Sequence, residues 1–143
     1  MLANRPRILS VGTANPPERY TQEEVLAKYR MPNKMVRSLF KSGHIRTRHL
    51  MLPEPDEDGI PRETQGELLA KHRRGAMMMG SQAIERALEP MGLTTADIDY
   101  LAVISSTGFM LPGLTAMFIK HLGFRVDCSR VDIVGMGCNA GLN

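Results

Sequence analysis

Two short apolar runs, YLAVISS (100–106) and VDIVG (131–135), flank a single helical pattern at about 114–122, and nothing else in the chain restricts its fold as strongly. Strands separated by a helix pair in parallel, because antiparallel neighbours need only a tight turn. Upstream, RILSVG (7–12) predicts another short strand, leading into a loop, TANPPERY (13–20), whose paired prolines block regular structure. Thr21 followed by Glu24 predicts a capped helix start, and a second helix is expected over Lys34 to Lys41, stopping at Gly43. IRTRHLML (45–52) alternates apolar and polar residues as a half-buried strand does. The acidic, proline-rich stretch 53–63 reads as an exposed loop. A long helical pattern then runs from Thr64 to Glu89, broken by Pro90 and Gly92. Its face includes Leu69, Ala76, Met79, Ala83 and Ala87, mostly small enough for close packing, and Met77–Met79 read as adaptable core filler. The result is an α/β chain.

Composition excludes several functions. Hydrophobic residues are 43% and charged residues 23%, ordinary for a globular chain. No apolar run approaches the roughly 20 residues needed to cross a bilayer. The opening MLANRPRILSVG lacks the apolar core of a secretory signal, so a cytoplasmic location is expected. The first fifty residues carry ten Lys/Arg against three Asp/Glu, and the next fifty carry five against ten. Such a basic end suits a phosphorylated ligand, or is simply a solvated face. Three Tyr, four Phe and no recognition module speak against nucleic acid. Four His and two Cys without ligand spacing predict no metal site.

Chemistry concentrates in SRVDIVGMGCNAGLN (129–143). A strand feeds Gly135 and Gly137, then Cys138, then small residues able to begin a helix. A thiol at a helix amino terminus is biased toward thiolate by unpaired N–H groups and the helix dipole. Adjacent glycines let backbone approach a carbonyl and bind a developing oxyanion. A structural cysteine in a tight turn has the same spacing, so spacing alone leaves both readings open. Cys128 reads as packing, and His121, on the helical pattern, as a surface or boundary residue.

The ending GMGCNAGLN resembles the nucleophile motif of type III polyketide synthases, in the thiolase superfamily. In the same order, ILSVGTANPP resembles that family's opening strand and loop, IRTRHLML its basic strand, and STGFMLPG with IKHLGF the segment before the nucleophile strand. The resemblance runs over nearly all of 1–143. RETQGELLAKH, SSTGFMLPGLTA and CSRVDIVGMGCNAGLN are most similar to bacterial dihydroxyphenylacetyl-CoA synthases. Plant chalcone synthases differ in having a bulkier residue where Asn139 stands.

This resemblance implies the amino-terminal part of a layered α/β/α thiolase-like fold with a mixed, largely parallel sheet. It implies an acyltransferase in which Cys138 accepts an acyl group from a CoA thioester and malonyl-CoA supplies the extending carbons, with no further cofactor. A fatty-acid-type ketoacyl synthase shares fold and nucleophile and is the rival reading. Ser106 and Thr107 match positions lining the family's acyl cavity, or else form a plain strand-end turn. Leu111 matches a substrate-binding position that crosses the family's dimer interface and closes part of the partner's cavity, or else is ordinary interface packing without contact to ligand; the resemblance implies a homodimer. Arg37 and Lys41 fall near basic residues that meet CoA phosphates, against the favoured plain reading of a solvated helix face. The family's catalytic His and Asn lie beyond Asn143, so a complementary downstream polypeptide is expected as partner, without which the chain is an inactive structural half. The strands at 100–106 and 131–135 read as buried on both faces, with few helices here to cover them.

Overall fold

One piece of local chemistry recurs at three helix starts in the computed structural model, which describes residues 5–137. Thr21 caps α1 (Gln22–Lys28), Thr64 precedes α3 (Gln65–Leu88), and Thr94 caps a 3-10 turn at Thr95–Asp97. Each threonine donates its backbone N–H and its hydroxyl to the carboxylate three residues on, at 2.6–2.9 Å. Glu24 and Glu67 return the bond through their own N–H groups to the threonine hydroxyl. These bonds, the backbone one first, hold Glu24, Glu67 and Asp97 below the usual carboxylate range. The capped start anticipated at Thr21 is therefore present. The second helix, α2 (Lys34–Ser42), is capped by the Asn33 side chain, which accepts from the N–H groups of Met35 and Val36.

The chain divides into two compact units, Asn15–Lys71 and the remainder, with α3 beginning in one and continuing in the other. In Asn15–Lys71, β1 (Arg19–Thr21) pairs antiparallel with β2 (Thr47–His49). The strand anticipated over 45–52 thus keeps only three residues. Its partner lies partly within the segment read as a proline-blocked loop, and that reading needs correction. Proline restricts itself and the residue before it, so Arg19 and Tyr20 remain free to pair. The buried Gln22 ties the unit together: its amide donates to the Phe40 carbonyl at 3.1 Å and accepts from Arg48 Nε at 2.9 Å. Val25 and Leu26 form the apolar centre beside it. The 53–63 loop is organised by Asp56, which accepts from the N–H groups of Asp58 and Ile60 and pairs with Arg62.

In the other unit, β3 (Tyr100–Ser105) and β4 (Ser129–Val134) pair in parallel from Tyr100↔Ser129 to Ser105↔Val134. Helix α4 (Leu114–Leu122) is the crossover, as the sequence pattern required. It ends at Gly123, whose left-handed φ of 69° lets the Phe124 N–H turn back to the Ile119 carbonyl. Leu114, Thr115, Phe118, Phe124 and Cys128 are buried here, so Cys128 is a packing residue. Val103, Ser105, Asp132 and Val134 share the face on which Leu114 packs. On the opposite face Tyr100 and Ile104 are 59% and 46% exposed, so the described residues cover one face of the pair and not both.

Segment 7–12 forms no strand, contrary to its apolar pattern. A strand exists only through a paired edge, and β3 and β4 are each other's only partners among the described residues. The segment instead meets α3. A side chain at Gly12 would collide with the Ala83 carbonyl, and Arg86 donates to the Thr13 carbonyl at 2.7 Å.

Helix α3 approaches α4 at Gly80, where the Phe118 ring occupies the space a Cβ would need. Gly80→Leu should therefore destabilise the fold by about 1–3 kcal/mol through overpacking. That exceeds the gain of about 1 kcal/mol from replacing a helical glycine. Chemical denaturation of parent and variant measures the difference.

Candidate active site at the ends of the parallel strands

Helix α4 begins at Gly113, which has no side chain to cap it. The cap comes from β4: Asp132 accepts from the Thr115 N–H at 3.0 Å and from the Thr115 hydroxyl at 2.5 Å. Thr115 is 1% exposed, and a Cβ at Gly113 would strike the Asp132 carboxylate. A partly buried carboxylate is costly unless its oxygens are bonded, and here both are. Asp132 was legible only as a lone charge in an apolar strand, a pattern that calls for a partner without naming it.

This tie fixes the ends of both strands. The Gly135 N–H donates to the Ser105 carbonyl at 3.1 Å, so the chain leaving β4 stays beside the end of β3. Gly135 and Gly137 then adopt φ of 78° and 60°, the left-handed region that glycine enters without a Cβ penalty. Cys138 itself lies outside the described residues. The backbone leading to it is a double left-handed turn at the carboxyl end of a parallel strand, where α/β sheets bind their ligands.

Ser106 and Thr107 follow β3 directly, both exposed, and therefore lie at the same end of the sheet as Gly135. Leu111 is 86% exposed and precedes Pro112 through a cis peptide bond. The structure thus gathers Ser106, Thr107 and the approach to Cys138 at one end of β3 and β4. Arg37 and Lys41 belong to the Asn15–Lys71 unit. Arg37 donates to the Met31 carbonyl at 3.4 Å, and Lys41 pairs with Glu23 at 3.6 Å, all on an exposed surface.

A further contributor escaped the sequence reading. His72, on α3, lies 3.3 Å from the Ser105 hydroxyl, and its ring fills the space beside Gly108. Ser105 in turn donates to the Thr107 carbonyl. Nothing in LAKHRRG marked His72, since a single histidine in a charged helix carries no spacing signal. His121 is exposed and, with Arg73, Met77, Met117 and Lys120, borders a separate open cleft of ≈ 420 Å³ between α3 and α4. Between the strand ends and the start of α4 the described residues enclose only ≈ 10 Å³.

A family model described as FAE1/Type III polyketide synthase-like protein matches residues 26–143. The 3,5-dihydroxyphenylacetyl-CoA synthase of Streptomyces toyocaensis is 46% identical over 140 residues, covering 97% of this chain and 36% of that protein. The enzyme of the same name from Amycolatopsis balhimycina is 46% identical over 139 residues, covering 96% and 37%. Among solved structures, PKS-I of the brown alga Ectocarpus siliculosus aligns with a TM-score of 0.81 at 30% identity, over 95% of this chain and 41% of that one. The 1,3,6,8-tetrahydroxynaphthalene synthase of Streptomyces coelicolor, a bacterial type III polyketide synthase, aligns with a TM-score of 0.78 at 30% identity, over 92% and 40%. The chain thus spans a little over a third of the length of these curated relatives. With a parallel pair ending at a glycine-framed cysteine motif, and a family match over most of its length, the chain belongs to the type III polyketide synthase family.

Proposed function

We propose that residues 1–143 form the amino-terminal, nucleophile-bearing domain of an acyltransferase that builds an aromatic polyketide, dihydroxyphenylacetyl-CoA, from malonyl-CoA. The observation carrying this reading is the left-handed pair Gly135 and Gly137, which turns the end of β4 directly into Cys138. The likeness to two dihydroxyphenylacetyl-CoA synthases supports the product class. In this mechanism the Cys138 thiolate attacks the carbonyl of an acyl-CoA, a thioester forms, and CoA leaves as its thiolate. Malonyl-CoA then loses carbon dioxide, and the enolate carbon attacks the acyl-cysteine carbonyl. The new carbon–carbon bond releases the Cys138 thiolate and leaves a chain two carbons longer on CoA. Backbone N–H groups around Gly137 are suited to receive the carbonyl oxygen as it gains charge. CoA thioesters are the only small molecules the reaction requires.

Ser106 and Thr107 line the acyl cavity in this reading, and Arg37 and Lys41 meet CoA phosphates. The His and Asn that stabilise the enolate belong to a complementary downstream polypeptide, which also covers the exposed face of β3. The assembled enzyme is a homodimer across the segment holding Phe109 and Leu111, two neighbouring large apolar side chains that are 72% and 86% exposed.

Brief alkylation of the assembled enzyme near neutral pH should label Cys138 before the buried Cys128, and peptide mapping reads the ratio. Cys138→Ala should abolish acyl transfer and leave CoA affinity nearly intact; retained transfer would remove the nucleophile assignment. Gly137→Ala forces a Cβ into a left-handed conformation at a cost of about 1–2 kcal/mol. Acyl transfer should fall about five- to thirtyfold if that strain is borne at the reacting thioester, with CoA affinity again little changed. Leu111→Arg should weaken dimerisation in sedimentation experiments, whereas an unaltered dimer with unaltered products would place this loop away from the interface.

A further inference from the structure

We propose that His72 is a positioning residue that holds the turn carrying Ser106 and Thr107, and thereby sets how the growing chain is held; this rests on the acyl-cavity reading of those two residues. Ser105 is the hub of the turn. Its carbonyl accepts from Gly135 N–H at 3.1 Å, and its hydroxyl donates to the Thr107 carbonyl. A serine hydroxyl has one proton. With that proton directed at Thr107, the contact between Ser105 Oγ and His72 Nε2 at 3.3 Å requires the imidazole to donate. In the tautomer with hydrogen on Nε2, His72 donates to Ser105 Oγ, and that bond fixes the rotamer from which Ser105 reaches Thr107.

The ring acts sterically as well. Gly108, with φ of 76°, lies so close to the His72 ring that a Cβ there would overlap it. Hydrogen bond and ring contact together grip the 105–108 turn at both ends. Among the described residues, His72 is the only side chain outside the turn that hydrogen-bonds to it. Rotating Ser105 would release the Thr107 carbonyl and shift both hydroxyl-bearing side chains relative to the Gly135 turn. Because α3 is otherwise held through Gly80 and Gly12, loss of the His72 contact should loosen the turn without dismantling the helix.

The test compares the assembled enzyme with His72→Ala, His72→Gln, Ser105→Ala and the double variant His72→Ala/Ser105→Ala. The ratio of products made from malonyl-CoA should shift about fivefold in His72→Ala, the factor corresponding to one net hydrogen bond. His72→Gln, which keeps a donor, should return toward the parent ratio. The double variant should shift no further than either single change, as coupled residues do. Amide hydrogen exchange at 105–110 should quicken in His72→Ala while α3 keeps its protection. If His72→Ala does not fold, His72→Leu supplies the same comparison, with the ring volume filled but no donor. A parent-like ratio in a folded donor-less variant overturns the inference, as do additive single shifts. A parent enzyme that makes no condensation product would defeat the functional reading and this inference with it. An active parent with an unmoved variant defeats the inference alone.

Discussion

The carboxylate of Asp132 holds together the part of the molecule on which the site depends. A helix leaves its first N–H groups without partners, and α4 starts at a glycine that cannot supply one. Asp132 answers from the neighbouring strand, binding both the N–H and the hydroxyl of Thr115. The helix dipole adds to the attraction, since negative charge is favoured at this end. Strand β4 and the crossover helix thereby have one relative position. Gly113 completes the arrangement, because any side chain there would displace the carboxylate. With β4 fixed, the Gly135 to Ser105 bond and the turn toward Cys138 follow from chain geometry.

Legibility in the sequence tracked how local the responsible interaction was. The capped start at Thr21, the long helix beginning after Thr64, the helix over 114–122 and the parallel pair were all readable, because each depends on residues a few positions apart or on an apolar run. Segment 7–12 was misread. Its apolar pattern is real, but a strand requires an edge to pair with, and among the described residues Ile8, Leu9 and Val11 stay 66–88% exposed. Strand β1 was missed for the opposite reason: two prolines concealed three pairing residues behind them. In the site, the glycine-framed cysteine motif was legible because left-handed backbone leaves a compositional mark. His72 and Asp132 were not, since their partners lie 33 and 17 residues away and no spacing rule links them.

The basic amino-terminal half illustrates how charge is distributed between stability and binding. Lys71 and Glu63 form a 2.5 Å pair with both side chains under 20% exposed, and Glu63 together with burial raises the nearby Tyr29, burial being the larger cause. Charges enclosed in this way serve the fold, because removing one partner strands the other. Lys41 and Glu23 are different: they pair at 3.6 Å with side chains 54% and 79% exposed. An exposed pair of this kind is worth roughly 0–1 kcal/mol. A phosphate could displace Glu23 from Lys41 at little cost, so the observed pairing does not compete with the CoA-binding role proposed for α2.

The volume at the strand ends separates what these residues can determine from what they cannot. A site for a small organic ligand encloses some 300–1,000 Å³, whereas the described residues enclose ≈ 10 Å³ between the strand ends and α4. Side chains there are already in contact: Asp132 with Thr115, and His72 with Ser105 and Gly108. The residues between the strand ends and α4 are therefore packed against one another, and behind Ser106 and Thr107 they hold a turn rather than enclose a ligand-sized space. Thus β4 and its glycines set the backbone that leads toward Cys138, and the packed residues beside it leave no ligand-sized volume between the strand ends and α4.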